Sequence, residues 1–213
     1  MPFTAEQFFG VFAAYNAAVW PVQVLLLALA LAAVVLALWP VAAGGRIIAG
    51  ILAALWLWMG IAYHWAFFSS INRGAYLFGA LFVAEGVLLA IDGVVRGRLA
   101  FRALTDLAGA VGALAILYAL IIYPGLGYLA GHRYPAVPTF GLPCPTTIFT
   151  FGLLLSAERQ VPLYLVVIPF AWSIIGAGAA VALGVPQDAG LVVAGVVGTL
   201  LIWRKNRLAA SPA

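Results

Sequence analysis

The sequence predicts an all-α, polytopic integral membrane protein: a bundle of about seven transmembrane helices preceded by an N-terminal interfacial amphipathic helix. Three observations carry this prediction. Hydrophobic residues make up 66% of the 213 residues and charged residues only 8%, whereas soluble domains carry about 25% charged residues. Apolar runs of about twenty residues, the length that crosses a bilayer as a helix, recur along the chain. Prolines and small clusters of basic residues separate these runs.

This composition excludes several classes of protein. So few charged residues cannot cover a water-facing surface, which excludes a soluble globular domain, a disordered chain and a nucleic-acid-binding module. The formal net charge of +4 comes from basic residues in short loops, a pattern typical of topology signals in membrane proteins. The single cysteine, Cys144, excludes an intrachain disulfide framework and a cysteine-based zinc site. The lipid bilayer is therefore an expected partner and nucleic acid is not.

Residues 1–20 are predicted to form the amphipathic helix, which would lie in the membrane interface. Thr4 and Gln7 have the spacing of a capping box, and Pro21 should end the helix. An alternative stays open, in which this segment merely begins the first spanning helix. Because no basic residue precedes Arg46, the segment lacks the charged start of a signal peptide and is expected to belong to the mature chain. Aromatic residues recur in it near helical spacing, at Phe8, Phe9, Phe12 and Tyr15.

Residues 21–203 are predicted to form the seven-helix transmembrane domain, since backbone polar groups in lipid must be paired within the segment. Whether the short fifth helix spans the bilayer fully is left open. A basic cytoplasmic tail, residues 204–213, would follow. In chain order the apolar runs are Pro21–Pro40, Arg46–Phe68, Ala75–Val95, Thr105–Tyr128, Pro145–Ala157, Pro162–Leu183 and Ala189–Trp203.

Seven crossings would place most basic residues at one membrane face. Cytoplasmic loops carry an excess of Lys and Arg, so we expect the C-terminus in the cytoplasm and the N-terminus outside. Only Arg73 and Arg133 would lie at the outer face. The residues at the cytoplasmic face would be Arg46, Arg96, Arg98, Arg102, Arg159, Arg204, Lys205 and Arg207.

The same topology brings several polar residues to the outer face. They lie at the end of the second run, after the fourth run, and in the proline-rich stretch before the fifth. If Pro145 is the first helical residue of the fifth run, the backbone N–H groups of Thr146 and Thr147 are free to bind an anion. A packed proline-rich cap is the alternative interpretation. The outer residues are His64, Asn72, His132, Arg133, Cys144 and Thr146.

Acidic residues within or beside the apolar runs also invite a prediction. Glu85 lies in the middle of the third run, where a carboxyl group should face the bundle interior. It would either bind a cation or relay a proton, or else form a hydrogen bond with Tyr118 or Ser173. Two pairs at i,i+4 spacing, Asp92 with Arg96 and Arg102 with Asp106, predict ion pairs on helices.

Three segments resemble a known family. They are MPFTAEQFFGVFAAYNAAVWP at the start of the chain, YHWAFFSSIN around His64, and HRYPAVPTFGLPCPTTIFTFGLLL around Cys144. These segments resemble a bacterial family of short multi-pass membrane proteins classed as a domain of unknown function. The resemblance covers nearly the whole chain and implies a polytopic bacterial membrane protein, hence an inner (plasma) membrane location. It implies no activity.

The predicted function is transport or sensing of a small solute or ion at the outer face. Two alternatives stay open: a haem- or metal-binding redox protein with His64 and His132 as ligands, and a membrane enzyme with Cys144 as nucleophile and His132 as base. No recognisable catalytic motif favours an enzyme. A homo-oligomer is compatible with the sequence. The candidate ligand-binding residues are His64, Asn72, Glu85, His132, Arg133, Cys144 and Thr146.

Overall fold

A computed structural model describes residues 2–103 and 105–210, which fold into helices joined by short loops, with no strand in these ranges. Three helices continue directly into π-helical turns: α3 into Met59–Trp65, α4 into Ala90–Val95 and α5 into Tyr118–Ile122. The helices are α1 (Ala5–Val19), α2 (Val22–Leu38), α3 (Gly44–Trp58), α4 (Ala75–Leu89), α5 (Leu107–Leu117), α6 (Tyr123–Leu129), α7 (Pro143–Leu155), α8 (Tyr164–Leu183) and α9 (Ala189–Ala210).

The described residues confirm the predicted all-α class, and five of the helices are long and apolar enough to cross a membrane. The count by length is smaller than seven, because α2 has 17 residues and α7 has 13. α2 meets α1 at a bend of 87°. The five spans are Gly44–Ser70, Ala75–Val95, Leu107–Leu129, Tyr164–Leu183 and Pro186–Ala209.

The fifth predicted run nevertheless passes from one end of the bundle to the other. We call the end that carries α1 the α1 end, and the end formed by residues 96–103, 157–162 and the last turns of α9 the arginine end. The loop before α7 lies at the α1 end, where the Asn16 side chain donates to the carbonyl of Pro135 over 2.6 Å. The residues after α7 lie at the arginine end, where the Glu158 N–H donates to the Ala100 carbonyl over 2.8 Å. The short α7 therefore extends through the bundle.

α7 is the central helix of the bundle. All of its residues except Cys144 are buried. Its closest partner is α5: a Cβ atom added at Gly112 would lie 2.7 Å from the Gly152 carbonyl oxygen, and one added at Gly152 would lie 2.9 Å from the Gly112 carbonyl oxygen. Small residues at such contacts let two helix backbones approach closely. Because protein surrounds α7, its length does not have to match the thickness of the lipid.

α1 folds back over the bundle instead of extending α2. The predicted capping box is present, since the Gln7 N–H donates to the Thr4 hydroxyl over 3.2 Å and the Thr4 N–H donates to the Gln7 side chain over 2.9 Å. One face of α1 is buried against the bundle and includes Phe8, Phe12 and Tyr15. The chain then turns sharply at Pro21, as the sequence predicts.

The arginine end contains the predicted cluster of basic residues and one correction. Asp92 pairs with Arg96 at 2.9 Å, as predicted, and also with Arg98 at 3.0 Å. The predicted pair of Arg102 with Asp106 is wrong, because the Asp106 carboxylate caps α5 by accepting the Gly109 N–H over 2.8 Å. Arg102 pairs with Glu158 instead, at 3.4 Å.

The predicted tail is not a separate segment over its described part. α9 continues to Ala210, so residues 204–210 are helical. The Asn206 side chain fastens this last part of α9 to the start of α8 by donating to the Val161 carbonyl over 2.7 Å and accepting the Val161 N–H over 3.1 Å.

The contact between α5 and α7 predicts the effect of one added methyl group. We expect Gly152→Ala to lower the free energy of unfolding by about 1–3 kcal/mol, because the helices must separate or the Ile116 side chain must shift. Gly125→Ala is the matched control, since a Cβ atom there meets nothing within 4 Å. The measurement is the thermal midpoint of both variants in detergent. Equal midpoints for Gly152→Ala and Gly125→Ala would contradict the close packing.

Candidate functional site

A cavity of about 450 Å³ lies at the α1 end. α1 covers it, the loop and first turn of α7 form its floor, and α8 forms one side. We call it the aromatic cavity, because eight aromatic side chains line it. The aromatic lining residues are Phe3, Phe8, Phe12, Tyr63, Phe68, Phe78, Tyr123 and Trp172, and the polar ones include Asn72, Cys144 and Asp188.

Asp188 is the centre of the polar part of the lining. It ends the 3₁₀ turn Pro186–Asp188 that leads into α9, and only 4% of it is exposed. The Tyr123 hydroxyl donates to its carboxylate over 2.5 Å. The Cys144 side chain lies beside the same carboxylate and near the Trp172 indole, whose N–H has no hydrogen-bond partner. Side chains of α6 and α7 thus meet at one buried carboxylate.

Two of the predicted site residues, Asn72 and Cys144, line this cavity. Asn72 lies in the loop before α4, where its side-chain oxygen accepts the Gly74 N–H over 2.9 Å. Cys144 lies in the first turn of α7. Its neighbour is Asp188, and no contact joins it to His132, so the thiol–imidazole pair expected of an enzyme is not assembled.

His64 lies directly behind the cavity wall. It is fully buried, and neither of its ring nitrogens has a hydrogen-bond partner. Its ring contacts side chains that line the cavity, among them Trp172 with ring centroids 5.2 Å apart and Phe68 at 5.9 Å. His64 therefore supports the aromatic wall and reaches the cavity only through other rings.

His132 and Arg133 lie outside the cavity lining, in the loop after α6. The His132 ring is 4.6 Å from the ring of Phe9, and its Nδ1 atom is 3.5 Å from the Gln187 amide nitrogen. Partial burial lowers the pKa of His132 below its usual value. The Arg133 guanidinium stacks 3.7 Å above the Tyr128 ring and donates to the Tyr128 carbonyl. The contacts of His132 and Arg133 are therefore with α1, the turn before α9 and the end of α6, and not with the cavity lining.

The two histidines do not share a neighbour. The rings around His64 are those of Tyr63, Phe68, Phe78, Phe82 and Trp172, whereas His132 contacts Phe9 and Gln187. Within residues 2–103 and 105–210 no three His, Cys, Asp or Glu side chains are grouped as metal ligands. The geometry of these residues therefore gives no support to a haem or metal site, which stays a prediction.

The predicted anion site at Thr146 and Thr147 is wrong in its geometry. α7 begins two residues earlier than predicted, at Pro143. The Thr146 N–H therefore has a partner, the Leu142 carbonyl at 3.3 Å, and the Thr146 hydroxyl accepts the Gly141 N–H over 3.1 Å. Two of the first three residues of α7 are prolines, which have no N–H to offer. Thr146 thus stabilises the turn before α7, and its N–H is not free as expected.

Glu85 faces the bundle interior, as predicted, but neither predicted partner reaches it. It is fully buried, and neither carboxyl oxygen has a hydrogen-bond partner. The Tyr118 hydroxyl donates to the Gln187 carbonyl and the Ser173 hydroxyl to the Phe170 carbonyl, each over 2.7 Å. A buried carboxyl group without a partner is costly in a membrane-spanning helix.

Sequence reasoning missed the residues at the centre of the cavity. Asp188 immediately precedes the seventh predicted run and is absent from the predicted site residues. The predicted topology places Asp188 and Cys144 at the same membrane face, and this shared position is the one feature of the sequence that relates the two residues. Asn16, which is fully buried and accepts the Thr139 hydroxyl over 2.9 Å, is likewise absent from the predicted site.

Replacing either of two buried acidic residues in the span Ala75–Val95 should have opposite effects on the free energy of unfolding. Asp92 bonds to two arginines and to Tyr164, so Asp92→Asn should lower the free energy of unfolding by about 1–3 kcal/mol. Glu85 has no partner, so Glu85→Met should leave it unchanged or raise it by about 1–3 kcal/mol. Thermal midpoints of both variants in detergent test this. A large loss of stability in Glu85→Met would mean that the carboxyl group has a partner after all.

Comparison with known proteins gives a family and no described relative. No curated protein and no solved structure matches the chain. The sequence model of a family of unknown function (DUF6064) matches residues 5–212, which confirms the resemblance to a domain of unknown function. The chain therefore belongs to DUF6064, a family of unknown function.

Proposed function

We propose that the protein binds a small organic solute in the aromatic cavity and serves as a carrier or sensor for it in a bacterial inner membrane. The observation that carries the proposal is the cavity itself: about 450 Å³, lined by aromatic side chains, with Tyr123 and Cys144 beside Asp188 at one point of its wall. Solute sites in proteins are concave and mostly apolar, with a few placed polar groups that fix the ligand.

The position of the cavity in the bundle supports access of a solute from one side of the membrane only. The cavity is at the α1 end, and the buried α7 fills the bundle between it and the arginine end. A carrier would have to open this path, whereas a sensor would not. Glu85 lies on α4 between the two ends and has no partner, so in a carrier it is the group available for coupling to an ion.

We further propose that the α1 end faces outward. Seven of the ten basic residues belong to the arginine end, and Arg46 lies beside it, since its guanidinium would be 3.2 Å from a Cβ atom added at Gly97. Only Arg73 and Arg133 belong to the α1 end. Cytoplasmic loops of membrane proteins carry this excess. The cavity would then open toward the outer face.

The orientation predicts the behaviour of reporter fusions. Green fluorescent protein fused after the C-terminus should fluoresce, because it stays in the cytoplasm, and alkaline phosphatase fused there should be inactive. The same reporters inserted after Gly131, in the loop between α6 and α7, should behave in the opposite way. An active phosphatase at the C-terminus of the intact protein would contradict the orientation.

Cys144 provides an internal reporter for occupancy of the cavity, since it is the only cysteine in the chain. We expect methyl methanethiosulfonate to modify Cys144, and a bound solute to slow the modification in a saturable way. The probes are benzyltrimethylammonium and its neutral isostere neopentylbenzene, with Cys144→Ser as the unlabelled control. Saturable protection by either probe supports a solute site. Protection by neither, or protection that only rises linearly with concentration, would contradict the proposed function.

A further inference from the structure

We propose that the aromatic cavity selects organic cations, such as quaternary or protonated amines, with Asp188 as the counter-ion. This inference rests on the proposed function, because it assumes that the cavity is a solute site. It names the chemical class of the solute, which the size and position of the cavity do not determine.

The first argument is the charge of the lining. Asp188 is the one carboxylate that lines the cavity, and no Lys, Arg or His side chain belongs to the lining described here. The ion pairs of the described residues involve Asp92 and Glu158 at the arginine end, and none involves Asp188. A carboxylate that is 4% exposed and lacks an opposite charge carries a large desolvation cost. A bound cation would offset that cost.

The second argument is the use of polar hydrogens. The Tyr123 hydroxyl donates to Asp188, and the Cys144 thiol interacts with the same carboxylate. The Trp172 indole N–H lies near the Cys144 sulfur and has no hydrogen-bond partner. The Tyr123 hydroxyl is already engaged with Asp188, so a ligand at this carboxylate meets its oxygens and not that O–H group. An anion would be repelled at this point.

The third argument is the aromatic wall. Phe8, Phe12, Tyr63, Phe68 and Phe78 line the same cavity. The faces of aromatic rings attract cations, most strongly where water is excluded. An inorganic cation such as Ca²⁺ requires six to eight oxygen ligands, which this apolar wall does not offer. The combination of rings with one carboxylate fits an organic cation that carries its own apolar groups.

The test compares two ligands that differ in charge and not in shape. Benzyltrimethylammonium and neopentylbenzene are offered to the full-length protein in lipid nanodiscs, and the concentration that halves the rate of Cys144 modification is measured. Each variant is normalised to its own unprotected rate. Asp188→Asn should raise this concentration at least about tenfold for the cation, because it removes a desolvated charge partner, and leave it nearly unchanged for the neutral isostere.

Two further variants complete the design. Asp106→Asn removes the same charge at the arginine end and keeps an N-cap acceptor for α5. It should leave the half-protecting concentration of both ligands unchanged. Phe78→Leu removes one aromatic ring and keeps Asp188, so it should weaken protection by the cation more than protection by the isostere. This variant keeps the test informative even where Asp188→Asn fails to fold. Equal effects on both ligands, or no effect, would overturn the cation preference while the solute site stands. Protection by neither ligand in the unmodified protein would instead remove the proposed function itself.

Discussion

The burial of α7 in the middle of the bundle determines where every other element can lie. A helix of 13 residues is about 20 Å long at 1.5 Å per residue, which is too short to cross the hydrocarbon core exposed to lipid. Surrounded by protein, it has no such requirement. Reciprocal glycine contacts hold α5 against it, and Phe151 of α7 packs against Gly198 of α9, where an added Cβ atom would lie 2.7 Å from the ring.

A short central helix leaves volume at the end where it begins. The chain that precedes α7 is rich in proline and forms no helix from residue 132 to residue 142, so it cannot fill that volume as a regular element would. α1 covers the opening by turning through 87° at its junction with α2. The buried Asn16 holds it there by donating to the Pro135 and Val137 carbonyls, over 2.6 and 2.8 Å. The aromatic cavity is what remains between these elements.

Features that depend on neighbours in sequence could be predicted, and features that depend on distant partners could not. The third run, Ala75–Val95, was predicted with the bounds that the structure has, because apolar periodicity and length decide it. The capping box of α1 and the pair of Asp92 with Arg96 are likewise local. Arg102 was paired with the wrong acid because its partner, Glu158, is 56 residues away. The residues joined by the hydrogen bond from Tyr123 to Asp188 are 65 positions apart in the sequence, and no local pattern predicts this bond.

The two buried aspartates show how the same side chain acquires different roles. Asp92, at the arginine end, accepts from two arginines and from Tyr164, so its charge is balanced within the chain and its role is structural. Asp188, at the α1 end, accepts from the neutral Tyr123 hydroxyl, and the neutral Cys144 side chain lies beside it. Neither group supplies a positive charge, and low-dielectric surroundings make that difference large. The difference lies in what each site lacks: Asp92 needs nothing further, whereas Asp188 lies beside a cavity that has room for the missing charge.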